Sequence, residues 1–600
     1  MQDYQERYIN NLKKIADLSV FYKGFDKDFT SWMKDREESL RKIGELREEN
    51  NRLLSEGLFP ALDSIHEASP EDIKELERFA ALLMDWTTNL DPGVYVVIHD
   101  ALLRLYRQRK DRKNIIKELY MLGMGLYYVR RNTEGVDSDI RDKLAFRNEM
   151  VFSEAASYLR YYDDLEDSET RSYVVRALHN LSLCTRDLKR RIAFNARAMK
   201  VMTDEHYRQL APDLPWDRYV QASHQQMSIN RNRLAENKLT QEEIALVLDS
   251  CYEVFKPASE SDEKNVRWIW PYYDMEYNCG YVDLDTTIGR LEQLIDSASY
   301  DQYDIPGFYA NVQLVAMYSI FMDNNPQLQT DENRIRFLER ATRKMLKALV
   351  SCPADKFTDN FFFMVDVCLS NYHETAVSIP YRDIAETLMR RFSGTLYIKA
   401  RKTGDLLELL CAELYERDKS FFDDIPFISH ISDEVLKKET ILRYAQECGF
   451  FSDFGSIKMN IQRTMDSRKL FEDEEEFYQL HVRSGYGDLS RNRSTHDYAD
   501  IALGHHKWYD GTDGYPGDYI RIESPYRQMT DAAKLASDLL SRWNGDMQSL
   551  AKDMLSRSRR EYSPMVVSCL LDKDLCSRLE KILGGDDCVY YKEIYDEMKK

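Results

Sequence analysis

From about residue 70 to about residue 385, apolar and aromatic residues recur three and four positions apart, and only short polar or Pro-containing breaks interrupt them. A stripe that returns at that spacing is the inward face of an amphipathic helix. The stretch 172–202 predicts two helices joined near Thr185 and Arg186, and 94–131 predicts another such hairpin. The rhythm resembles tetratricopeptide-type units loosely, without a repeat of fixed small and aromatic positions. Residues 1–69 form a charged helical segment in which "SLRKIGELREENNRLL" reads as an exposed helix or a short coiled-coil-like element. A Pro-marked break before "YRDIAETL" places a boundary between about 375 and 395, so the expected division is 1–69, 70–385 and 386–600. The predicted fold class is all-α throughout: a solenoid-like run of helical hairpins followed by a second helical domain.

Composition narrows the function. The chain has 600 residues, 43% hydrophobic and 31% charged, with no long low-complexity tract, which is the balance of an ordered globular protein. A net charge of −20 opposes the phosphate attraction on which duplex binding depends. No stretch reaches the roughly 18 apolar residues that span a bilayer, so neither duplex nucleic acid nor membrane insertion is expected. The ten cysteines are scattered singly and the N-terminus has no apolar core, which points to a reducing cytoplasm. A basic pocket for one small anion remains compatible with the net charge.

Two segments invite a functional reading and have a plainer one. The stretch 266–285 gathers two of the seven tryptophans around Pro271; it could line a pocket, and it equally fills a junction between helical pairs. The "GGDD" at 584–587 follows the helical pattern "SRLEKIL" and reads as a helix end with a glycine turn.

The last third carries the candidate chemistry. Thr495 is placed to cap a helix through "HDYADIALGHH", on which Tyr498, Ile501, Ala502 and His505 fall on one face, so His505 points inward. Successive residues lie about 100° apart on a helix, so His506 can share that site only at the helix end, where "DGTDGYP" turns the chain. The segment 472–485 opens with acidic residues suited to a helix N-terminus and carries His481 inside it.

Here the sequence resembles the HD-GYP family, HD-domain metal-dependent phosphohydrolases that open cyclic di-GMP, over about residues 390 to 600. "GHHKWYDGTDGYP" is similar to the family's double histidine, Asp-Gly turn and Gly-Tyr-Pro, which places Asp510, Gly511, Gly514, Tyr515 and Pro516 in the turn shaping the site. "SPYRQMTDAAKLASDLL" resembles the helix with the final metal aspartate, at Asp531, and "REYSPMVVSCLL" the closing helix. "AQECGFFSDFGSIKM" looks like the helix ending in the His-Asp motif, and His481 sits where the next histidine belongs.

The chain also departs from that pattern. Ser452 and Asp453 stand where the His-Asp pair should be, Ser456 replaces the motif lysine, and Lys399 falls where the first metal histidine belongs. The resemblance implies one metal held by Asp453, His481, His505 and His506, all present. It implies a second held by residues 399, 452, 453 and 531, of which only the carboxylates remain. Lys399 is then expected to act as a resident cation between Asp453 and Asp531. What the resemblance implies is a regulatory protein with a catalytically degenerate domain, binding one divalent transition metal (Fe, Mn, Zn or Ni) or none. A cyclic dinucleotide is the expected ligand, with a protein partner on the helical-repeat region. An active phosphohydrolase of cyclic di-GMP or a related diester is the alternative.

Overall fold

The computed structural model describes residues 2–19, 26–84, 90–131, 138–236, 238–261, 266–301, 304–351, 359–370, 372, 374, 379–459, 461–585 and 587–599. Among them the chain is all-α, with no strand. The helices that matter below are α1 (Gln2–Leu18), α2 (Phe29–Arg52), α3 (Pro92–Arg109), α4 (Arg112–Arg130), α5 (Asp139–Ser157), α6 (Ser168–Asn180), α7 (Leu188–Thr203), α8 (Gly394–Arg417), α9 (Glu434–Phe451), α10 (Glu472–Tyr478), α11 (His481–Leu489), α12 (Ala499–Gly504) and α13 (Arg527–Ser541).

Short polar side chains start most of them. Asp28, Asp91, Asp111, Asp167, Asp187 and Asp433 each accept a hydrogen bond from a first-turn amide, which satisfies a donor the helix leaves open and contributes about 1 kcal/mol apiece. The hairpins expected around 94–131 and 172–202 are α3–α4 and α6–α7, and helices adjacent in sequence pack on one another through this half. Around Pro271 the helix Val266–Asn278 buries Ile269 and Trp270 between neighbouring helices, the junction-filling role. Gly584 ends the helix Lys573–Leu583 by donating to the Glu580 carbonyl at 2.8 Å; Asp586 lies outside the described residues.

Residues 375–378 of the expected boundary lie outside the described residues, and the helix Tyr381–Phe392 does begin after Pro380. One apolar cluster nevertheless runs straight across 385/386, joining Trp32, Leu314, Tyr318, Leu388, Tyr397, Phe451, Phe454 and Ile594. Part of 386–600 therefore shares a core with what precedes it, beside a second cluster, running from Leu406 to Leu583, that lies wholly within it. The N-terminal segment is also tied in rather than merely exposed: Asn50 of α2 donates to the Ser467 carbonyl at 3.0 Å, and Lys469 N donates to Asn51 at 2.9 Å. A second link is ionic, Lys143 of α5 meeting Glu476 of α10 at 2.6 Å beside the Arg147–Asp473 pair. Beneath them Leu144 packs on Met459, Phe477 and Leu480.

Candidate metal centre

Asp453 lies just past α9, at the head of a short turn of helix, Phe454–Lys458. Phe451 and Phe454 are fully buried on either side and press this turn into the core, which leaves the carboxylate 2% exposed. Its neighbour Gly455 sets how close α11 can come. A Cβ there would stand 2.0 Å from the His481 carbonyl oxygen, so only glycine lets the aspartate turn touch the histidine helix.

The segment 472–485 is not one helix. It breaks after Tyr478, and His481 is the first residue of α11 rather than an interior position. The break has a use: the Tyr478 carbonyl, released at the end of α10, accepts a hydrogen bond from His481 Nδ1 at 2.8 Å. Thr495 likewise does not cap a long helix. Its hydroxyl donates to the Leu489 carbonyl at 3.0 Å, and α12 spans only Ala499–Gly504. That early stop puts His505 and His506 together at the helix end. His505 is fully buried and its Nδ1 donates to the Ala502 carbonyl at 3.0 Å. His506 stacks on Tyr515 with centroids 4.5 Å apart. The turn that delivers Tyr515 runs through Gly511 and Gly514, both left-handed (φ 75° and 77°), and into a cis Tyr515–Pro516 bond. A side chain at Gly514 would sit 2.3 Å from the His506 carbonyl oxygen. Asp510 stays outside the cluster, on the exposed surface, where it accepts from Thr512 N at 2.9 Å and holds the turn.

These elements bring Asp453, His481, His505 and His506 together, one ligand atom from each lying within 4.8 Å of the others. The three Nε2 atoms stand 3.3, 3.6 and 3.9 Å from Asp453 Oδ1, in the order His481, His505, His506. On the far side, Lys399 of α8 places its Nζ 2.8 Å from Oδ2. One carboxylate thus has its two oxygens in different surroundings, three imidazoles on one and an ammonium on the other.

The protonation states follow from contacts. A carbonyl only accepts, so Nδ1 of His481 and of His505 carries the hydrogen. Burial pushes the His481 imidazole below its usual range against the pull of Asp453, and burial, followed by the electrostatic effect of the adjacent His505, pushes His506 well below it. With the hydrogen on Nδ1, His481 and His505 turn Nε2 toward the aspartate. Burial would raise Asp453, but Lys399 first, and then the histidine contacts, hold it well below the usual carboxylate range. Lys399 is raised in turn, Asp453 overriding the effect of burial, although its side chain is still 31% exposed.

Lone pairs of His481 and His505 therefore converge on Oδ1 of the carboxylate: Nε2 of all three histidines and Asp453 Oδ1 have no hydrogen-bond partner, while Oδ2 faces the Lys399 ammonium at 2.8 Å. Buried acceptors left in that state are costly. A divalent cation resolves the arrangement, since imidazole and carboxylate are its usual N and O donors at about 2.0–2.2 Å. His481 and His505 already show the outer-shell bond typical of metal-ligating histidine, Nδ1–H to a backbone carbonyl. The residues fit a single ion.

Asp531 is not brought to this cluster. Its carboxylate is paired with the Arg521 guanidinium, and burial raises it while Arg521 opposes. Lys399 consequently does not sit between Asp453 and Asp531. The α13 carboxylate whose charge reaches Lys399 is Asp538, two turns further on, held by Lys534 Nζ and the Tyr562 hydroxyl, each at 2.9 Å. The helical period puts residues seven apart on one face, so 531 and 538 were equally inward by pattern; their depth along α13 separated them. Ser452 turns back onto its own helix, donating to the Gly449 carbonyl at 2.9 Å. Tyr478 was also missed, because it acts through its backbone.

Compared with protein-family models, curated proteins and solved structures, the chain matches none. What the fold and site define is an all-α protein with a buried Asp/His3 group able to hold a metal ion.

Proposed function

We propose that the chain is a regulatory protein built on a degenerate HD-GYP-like domain, holding one divalent metal through Asp453, His481, His505 and His506 and hydrolysing phosphodiesters weakly or not at all. The observation that carries this reading is the Lys399 ammonium, 2.8 Å from Asp453 Oδ2. In a two-metal phosphohydrolase one carboxylate bridges both ions, which sit about 3.5 to 4 Å apart and divide the charge of the reacting diester between them. A cation already fills the place where a second ion would meet that oxygen, and the carboxylate expected to complete its ligand set, Asp531, is committed to Arg521. A single ion supplies Lewis acidity at Oδ1 but not the pair of charges; forgoing about 4 kcal/mol of transition-state stabilisation is nearly a thousandfold in rate.

The protein's own groups define what the site can do. His481 and His505 are oriented by the Tyr478 and Ala502 carbonyls, Tyr515 closes the His506 edge, and the partly open Lys399 is the approach for a small anion. Metal analysis of purified protein, with turnover assays on cyclic di-GMP and an aryl phosphodiester, tests the reading. At most one equivalent of metal and negligible turnover are expected. Two equivalents with turnover would establish an active phosphohydrolase instead.

A further inference from the structure

We infer that a cavity of about 330 Å3 between α3, α4, α5 and the start of α10 is a binding site for a small amphipathic amine, independently of whether the histidine cluster holds a metal. Its size is that of a pocket for one small organic ligand. The inner wall is aliphatic: Val96 of α3, Leu126 and Val129 of α4 and Leu144 of α5, each buried. Water gains few hydrogen bonds against such a wall, so an apolar body is favoured there.

The rim decides the head group. Arg104 pairs with Asp100 at 3.4 Å and Arg147 pairs with Asp473, which leaves those charges balanced. Glu474 faces the cavity too, but both its oxygens already accept from Arg468, each at 2.8 Å. Glu472 has no ion pair of its own among the described residues and lines the cavity at its exposed edge. Arg130 also lines the cavity, but it is buried and its guanidinium is turned to Asn148 Oδ1 at 3.2 Å and the Leu183 carbonyl at 2.7 Å, so the charge at the exposed mouth is the Glu472 carboxylate, complementary to an ammonium carrying a phenyl-sized or short aliphatic body. An anionic head would meet Glu472 directly, and a neutral one would forgo the pairing.

The cavity also lies where the two halves of the chain meet. Its floor belongs to α3–α5, and its lip is Phe471–Glu474, which runs into α10 and the Tyr478 carbonyl that orients His481. A ligand seated there touches both sides at once.

Calorimetry and ligand-observed NMR on the full chain, with phenethylamine, phenethyl alcohol and hydrocinnamate as probes of one body and three heads, test the assignment. Phenethylamine should bind about tenfold more tightly than the alcohol, an ion-pair increment of one decade, and hydrocinnamate should not bind measurably. Glu472→Gln should erase the preference for the amine, and Val97→Trp, which fills the cavity, should abolish binding of all three. If the tryptophan variant does not fold, Glu472→Lys decides the matter, because that exposed position is compatible with folding and the charge reversal should turn preference toward hydrocinnamate. No binding of the amine at millimolar concentration, equal affinity for the three heads, or undiminished binding to either filled or reversed variant would overturn the proposal.

Discussion

Arg468→Met should be among the most destabilising single substitutions in the chain, because it empties the centre of a fully enclosed ionic knot. Arg468 is 0% exposed, and all five of its N–H donors are used. Nε and Nη2 grip Asp91 at 2.8 and 2.7 Å, Nη1 and Nη2 grip Glu474 at 2.8 Å each, and Nη1 also reaches the Lys469 carbonyl at 2.9 Å. The carboxylates have further duties. Asp91 caps α3 through Val94 N at 3.1 Å and accepts from the Tyr8 hydroxyl of α1 at 2.7 Å, while Glu474 accepts from Phe471 N at 2.9 Å. Methionine fills the volume but leaves two buried carboxylates facing each other with no cation. Breaking a buried pair by removing one partner costs about 3 to 5 kcal/mol, and this cation serves two partners, so the upper end is expected at neutral pH. With the arginine gone the carboxylates gain pKa, so the deficit relative to wild type should shrink as pH falls from 7 toward 5 and one takes up a proton. Urea unfolding with hydrogen exchange at the α3 amides reads both effects. Adding Asp91→Asn and Glu474→Gln to the arginine substitution should recover most of the loss, since asparagine still caps a helix and no charge remains. The reasoning fails if Arg468→Met unfolds within about 1 kcal/mol of wild type at pH 7, or if its deficit is the same at pH 5.

The other expectations concern the cluster and one remote histidine. Gly455→Ala should weaken metal binding and cost about 1 to 3 kcal/mol, because its Cβ displaces the His481 backbone; metal titration beside a melting curve separates the two, and unchanged affinity would count against the packing argument. His481→Ala or His505→Ala should abolish metal binding, whereas Asp531→Asn should leave stoichiometry intact and only loosen Arg521; elemental analysis of the three variants checks the ligand set. Lys399→Met should tighten metal binding about tenfold, since an ammonium a few ångströms from the ion opposes it, without adding a second equivalent; weaker binding in a competition titration would refute that sign. His179 of α6, hydrogen-bonded to Ser223 at 2.9 Å, is pulled down to about 4 by burial and then by Arg176. A depressed histidine gives stability that is fully present above the unfolded value near 6.5 and lost as pH falls toward 4, so His179→Gln should flatten the acid side of the stability profile by about 1 to 2 kcal/mol, measurable by denaturant midpoints between pH 7 and 4.5.

The helical periodicity alone carried the all-α class, the hairpins at 94–131 and 172–202 and the inward aim of His505, because the turn of a helix is a property of the local backbone and needs no partner. The Asp-Gly and Gly-Tyr-Pro turn was legible for the same reason: glycine is the residue that takes positive φ without cost, and Gly511 and Gly514 take it. Other features depended on what packs from far along the chain. The break between Tyr478 and His481 carries no Pro or Gly signal; it exists where α10 meets α5 and α11 meets Gly455. Asp531 and Asp538 share a face by period, and only the position of α13 against Arg521, Lys534 and Tyr562 assigns their partners. Residues 385/386 fall inside the helix Tyr381–Phe392, and the cluster that gathers Trp32, Leu388 and Phe451 from both sides of that point is a long-range choice no local pattern carries. Local pattern fixes which face of an element turns inward. What that face meets, and so whether a buried charge finds a histidine, a lysine or an arginine, is settled only when distant elements compete for the same interior.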